Sequence, residues 1–229
     1  MIISNLFMLI DGKISIINFI QVTLFVSVAV IIALSVHECC HAVVAYWFGD
    51  KTAKSQGRIT LNPFRHMNLI GTLMLLIVGF GWANPVIVDS RNFKKPRLGM
   101  ALTAAAGPVS NLLMSFIFSF LYVFLYIKIE PLFSNVLIEN LFELFRYIII
   151  INMSFAIFNL VPFPPLDGSK IIGEMLPLKY RYKYYSLERF SLIFFLVLIA
   201  LLRFFDFLSI VNTNLSNLFI YISELILGI

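Results

Sequence analysis

The sequence predicts an all-α polytopic membrane protein, a bundle of about five or six transmembrane helices. Of its 229 residues 60% are hydrophobic and only 13% are charged, whereas an ordinary soluble domain carries about 25% charged residues. The apolar residues gather into long runs at 14–48, 67–80, 98–127, 136–161, 187–208 and 210–229. Most Lys and Arg residues sit in short connections between these runs, where they set topology. Since a span takes about 20 residues, the chain fills one bundle and leaves no room for a folded soluble domain. Residues 1–229 are therefore read as one membrane-embedded domain.

Each run has its own reading. Residues 1–10 are apolar, but no basic start or small-residue cleavage site accompanies them and Asp11-Gly12-Lys13 follows directly, so they are kept as an interfacial segment rather than a signal peptide. As one helix, run 14–48 would be about 52 Å long, beyond a hydrocarbon core of roughly 30 Å, so it must tilt, bend or emerge. Run 67–80 is short. Lys51, Lys54, Arg58 and Arg65 precede it and Arg91, Lys94, Lys95 and Arg97 follow. Loops of one sign at both ends predict a re-entrant segment that dips in and returns, with a short span through a thinned bilayer as the alternative. Run 210–229 holds Asn212, Asn214, Asn217 and Glu224, and both a spanning and an interfacial placement stay open.

Charge bias then orients the bundle. With both basic loops cytoplasmic, 14–48 runs outside to inside, 98–127 returns outward and 136–161 comes back in. The 128–146 connection, with Glu130, Glu139 and Glu143, falls outside. The loop 162–189, with Lys170, Lys179, Arg181, Lys183 and Arg189, falls inside, as the positive-inside rule requires. The net charge of +5 is thus assigned to topology and anionic lipid, not to nucleic acid. Tyr180–Tyr185, interleaved with Lys and Arg, reads as an interfacial belt. Cys39 and Cys40 are the only cysteines; as helix neighbours they point about 100° apart and are poorly placed to bridge.

The chemistry lies where ionisable groups are most costly. His37-Glu38-Cys39-Cys40-His41 occurs in the run 14–49, which holds no other charged residue, and such groups in lipid mark function by default. Residues four apart share a helix face, so His37 and His41 can hold one zinc with Glu38 beside it as general base. Catalytic zinc takes three protein ligands, and the best third candidate is Asp167, in Asn159-Leu-Val-Pro-Phe-Pro-Pro-Leu-Asp167-Gly168. Pro162, Pro164 and Pro165 forbid a continuing helix, and Gly168 is read as letting the chain turn behind the carboxylate.

HECCH on the first long run and NLVPFPPLDG after a later one together resemble the site-2 protease family, intramembrane zinc metalloproteases, in its compact prokaryotic form without PDZ or CBS domains. Gly57-Arg-Ile-Thr-Leu-Asn-Pro63 with His66, Gly71-Thr72, Phe80-Gly-Trp-Ala-Asn-Pro-Val86 and Ala106-Gly107-Pro108 with Asn111 agree. The resemblance implies one zinc ion per chain on His37, His41 and Asp167. Glu38 would take a proton from the zinc-activated water and deliver it to the leaving amine. The substrates would be transmembrane proteins and the location a prokaryotic cell membrane, with the active site toward the cytoplasm. Asn159 would bind substrate or the oxyanion; Asn111 is a weaker candidate for orienting the site. The segments 60–63 and 82–86 are expected at the substrate cleft, a β-like piece where an unwound substrate pairs as a strand.

The chain departs from its relatives at Asn68-Leu69, where Asp-Pro is usual, and at Cys39-Cys40, where small or apolar residues are usual. Cys40 is read as a small buried hydrophobe, and His66 as a loop hydrogen-bonding residue ahead of a fourth ligand. A metal transporter on the same ligands would want further metal-binding groups along a path, and three His in all do not supply one. A catalytically idle scaffold would not need His37, Glu38, His41 and Asp167 intact.

Overall fold

The structure is a computed structural model that describes residues 2–78, 83–129, 135–205 and 207–228. Its helices are α1 (Ile2–Ile10), α2 (Ile16–Trp47), α3 (Thr52–Ser55), α4 (Leu69–Val78), α5 (Pro96–Ile129), α6 (Val136–Asn159), α7 (Asp167–Met175), α8 (Leu178–Tyr185), α9 (Ser191–Phe205) and α10 (Phe207–Leu227). Among the described residues three helices, α2, α5 and α6, are long and apolar enough to cross a membrane. Helix α9 has 15 residues, about 22 Å, and α4 has 10, about 15 Å, both shorter than a hydrocarbon core of about 30 Å.

The three long helices pack on one another, with α10 against α5 and α6 and α7 against α5. Helix α2 is a single helix of 32 residues, about 48 Å long. It starts where the Ser15 side chain accepts the Asn18 N–H and ends on Gly49, whose φ of +111° suits glycine. There the Gly49 N–H bonds to the Tyr46 carbonyl and the Asp50 N–H to the Ala45 carbonyl, a Schellman closure that satisfies the last turn.

Apolar on all sides, α2 nevertheless buries one stripe: Val26, Ala29, Val30, Ala33, Leu34, His37, Glu38, His41, Ala42 and Ala45. The i, i+3, i+4 spacing places the ionisable residues on the face turned into the bundle. The stripe's upper half forms the core with Ile148 and Ile151 of α6 and with Phe118, Leu144, Tyr147 and Phe155 around them. Its alanines, with Ala104 and Ala156, let the backbones approach closely, the device that replaces hydrophobic driving force between membrane helices. Polar bonds join the same helices: Gln21 to Asn140 at 2.8 Å and the Ser115 hydroxyl to the Ile149 carbonyl at 3.1 Å. On its far side α5 leaves Leu102, Val109, Leu113, Ile117 and Phe124 exposed, a helical stripe that suits contact with lipid.

Between α2 and α5 the chain makes an excursion that returns to its start. Met67 and Ala83 form an antiparallel bridge. The Asn84 N–H bonds to the His66 carbonyl and its side-chain amide to the Met67 carbonyl. Asn68, the residue that departs from the family pattern, accepts the Gly71 N–H at 2.9 Å and so caps the start of α4. After the bridge, residues 84–89 form no helix or strand, and Asp89 at their end has extended backbone.

Candidate active site

His37 and His41, one turn apart on α2, face Asp167 on the first turn of α7. Both Nε2 atoms lie 3.1 Å from Asp167 Oδ2, and they lie 3.0 Å from each other. All three residues are 5–8% exposed. This triangle is what a tetrahedral zinc site requires, since bonds of about 2.0–2.1 Å put ligand atoms about 3.3 Å apart.

The hydrogen bonds behind the rings show that a cation fits. His37 Nδ1 lies 2.6 Å from Asn111 Oδ1 and His41 Nδ1 lies 2.6 Å from the Thr103 carbonyl. The Asn111 Nδ2 group donates to the Ala33 carbonyl and to Asn152 Oδ1, so its Oδ1 is the atom facing His37. Both Nδ1 atoms therefore carry the proton in the neutral imidazoles, and both Nε2 atoms turn a lone pair inward. Two lone pairs and a carboxylate oxygen converge with no proton between them, which repels unless a cation sits there. Gly107 of α5 provides the room: a Cβ on it would stand 2.5 Å from His41 Nε2 and 2.6 Å from His37 Nε2. Among the described residues His37, His41 and Asp167 are the one group of three such side chains able to share a metal.

The Asp167 carboxylate depends on the chain before and after it. Gly168 was expected to supply a turn, but it is helical and its φ is not positive. What it supplies is space, because a Cβ there would collide with the Leu160 carbonyl. Lys170 approaches Asp167 Oδ1 at 3.4 Å. Helix α8 holds α7 through Arg181, which pairs with Glu174 at 3.0 Å and donates to the Gly173 carbonyl. The Tyr184 hydroxyl donates to the Pro162 carbonyl at 2.7 Å, anchoring the proline stretch. Burial and the neighbouring Glu174 carboxylate push the Tyr185 phenol up to about 12, so at neutral pH it donates its proton to Glu174 Oε1.

Glu38 stands beside the triad, 8% exposed, and its Oε2 accepts the backbone N–H of Val86 at 3.0 Å. The segment 84–89 thus reaches the proposed base through Val86, while Trp82, also expected at the cleft, lies outside the described residues. The far end of that segment is tied to Asp50, fully buried, which accepts the Asp89 N–H, the Asn92 amide and both the N–H and the hydroxyl of Thr52. Burial alone would raise the Asp50 carboxyl, but these bonds outweigh it and hold it below the usual carboxylate range.

Other expected residues lie elsewhere. His66 is fully buried and its Nε2 bonds to the Thr60 carbonyl at 2.7 Å, which ties up the loop and keeps it out of the metal group. Asn159 ends α6 and donates to the Phe155 carbonyl of its own helix at 3.0 Å. Cys39 and Cys40 are free thiols, half-buried, and outside the metal group. Sequence reasoning missed Gly107 as a spacer, the Thr103 carbonyl, the Val86 N–H and Asn152. Asn152 carried a readable signal, an amide in the middle of an apolar run; a backbone carbonyl or N–H leaves none.

Three apolar helices that bury a His-Glu-His-Asp constellation define a membrane metalloenzyme. Comparisons with known proteins supply the family. The model of "Peptidase family M50" matches residues 126–202, the part that carries Asp167. "Putative zinc metalloprotease YwhC" of Bacillus subtilis is 44% identical over 177 residues, 76% of this chain and 79% of the relative. "Putative zinc metalloprotease Rip2" of Mycobacterium tuberculosis is 26% identical over 173 residues, 73% of this chain and 63% of that one. Its namesake in Mycolicibacterium smegmatis is 23% identical over 156 residues, 66% and 57% respectively. No solved structure gives a significant match. The chain belongs to peptidase family M50 and is a metalloprotease.

Proposed function

We propose that this chain is an intramembrane zinc metalloprotease that hydrolyses peptide bonds of transmembrane proteins, with Glu38 as general base and then general acid. The observation that carries the reading is the convergence of His37, His41 and Asp167 on one point beside α2, the most apolar of the three long helices, with Glu38 next to it. Zinc held by these three residues would supply Lewis acidity, to polarise a carbonyl and acidify a water.

The chain's own groups do the rest. The Val86 N–H fixes one oxygen of the Glu38 carboxylate and leaves Oε1 to take the proton of the attacking water and pass it to the leaving nitrogen. The Asn111 oxygen and the Thr103 carbonyl hold the two imidazoles in the metal-binding tautomer. Asn159 retains a second N–H beyond its bond to Phe155, and that donor is assigned to substrate or the oxyanion. The segment 84–89 is assigned to substrate, as backbone on which an unwound transmembrane segment pairs in β fashion.

The bridge between Met67 and Ala83 brings the two ends of the α4 excursion together, which supports a re-entrant segment over a span. The basic loops around α4 and the basic stretch of α8 support a site opening to the cytoplasm. The test is cleavage of a transmembrane reporter in detergent or liposomes, with the new N-terminus sequenced. The proposal predicts a cut within the reporter's hydrophobic segment that Glu38→Gln abolishes. Cutting only in the reporter's aqueous flanks, or equal cutting by Glu38→Gln, contradicts it.

A further inference from the structure

We infer that Asn152 of α6 is a positioning residue of the metal centre, one that fixes Asn111 and through it the face His37 turns to the metal; the inference rests on the metal-binding reading above. Both amides are fully buried at the contact of α2, α5 and α6. The orientation of the chain of bonds is set at its far end. The Ile148 carbonyl can only accept, so the Asn152 side chain must turn its NH2 toward it, at 2.9 Å. Asn152 Oδ1 then faces Asn111 Nδ2, also at 2.9 Å, and the second N–H of that group goes to the Ala33 carbonyl at 3.1 Å. With both its N–H bonds used on these acceptors, Asn111 has only Oδ1 for His37 Nδ1. The imidazole proton is thereby drawn to Nδ1 and the lone pair left on Nε2, the atom nearest Asp167.

Removing Asn152 leaves one Asn111 N–H buried without a partner. Asn111 can satisfy it only by moving away from the geometry that serves His37. A residue with no atom near the metal thus governs the metal through two hydrogen bonds, and α6 becomes part of the site rather than only its scaffold.

The test compares wild type with Asn152→Asp and Asn152→Leu in zinc competition against a graded chelator and in the visible absorption bands of the cobalt-substituted protein. Asp keeps an acceptor for Asn111; Leu has similar volume and none. We expect Asn152→Leu to bind zinc about 10–100-fold more weakly and to show altered cobalt bands, with Asn152→Asp restoring both. Wild-type affinity and bands in a folded Asn152→Leu overturn the inference. So does a folded Asn152→Asp that loses about tenfold or more, the comparison that decides if the Leu variant does not fold. A well-folded wild type that binds neither metal overturns the metal reading itself, a result distinct from the other two.

Discussion

At the scale of single residues the site is a matter of which atoms carry protons. Glu38 and the two histidines were legible because five letters at helical spacing, in a run with no other charge, leave little else to mean. Asp167 was legible because three prolines around it stop the helix. What was not legible is the backbone's share: the Thr103 carbonyl and Val86 N–H belong to residues whose side chains announce nothing. Gly107 was visible only as part of a pattern, and its reason is spatial. Gly107→Ala is therefore expected to cost zinc binding while leaving the helix content intact, read by metal analysis beside circular dichroism. Glu38→Gln should lower turnover by about 10²–10⁴-fold, the usual worth of a positioned general base, with zinc content unchanged.

At the scale of elements, the segment 84–89 is held at Val86 by Glu38 and at Asp89 by Asp50. The sequence reading placed 82–86 at the cleft through the family pattern but did not single out Asp50, because a lone Asp after a helix looks like an ordinary capping group. Asp50→Ala leaves several donors unpaired and should cost about 2 kcal/mol or more, with faster amide exchange at Val86 and Asp89. Its pH dependence has a definite sign. Since the folded-state carboxyl is held below its unfolded value, its contribution is complete above the unfolded value, near pH 3.9, and is lost as pH falls through the folded one. The stability gap between wild type and Asp50→Asn, followed by thermal unfolding, should be open at neutral pH and close in acid. A gap that widens on acidification contradicts this account of Asp50.

For the whole molecule, hydropathy gave the long spans almost to the residue: the runs 98–127 and 136–161 became Pro96–Ile129 and Val136–Asn159. The contact between α2 and α7 was beyond it, since 126 residues separate His41 from Asp167 and only packing against α5 brings them together. Metal binding to a site that exists only when these elements are assembled must stabilise the assembly by mass action. Chelation should accordingly lower the melting temperature of wild type by several degrees and leave that of His37→Ala unchanged. Orientation is open to direct test as well. With Cys39 and Cys40 replaced by serine, single cysteines at Lys94 and Lys183 are expected to react with an impermeant reagent only from the cytoplasmic side.

The central claim is that His37, His41 and Asp167 hold a zinc ion that Glu38 uses for proteolysis. The most direct measurement is the zinc content of detergent-purified wild type and Glu38→Gln, paired with cleavage of a transmembrane reporter by each. The account predicts close to one zinc per chain in both proteins and cleavage by wild type alone. Well-folded wild type without zinc, or cleavage that survives in Glu38→Gln, would contradict it.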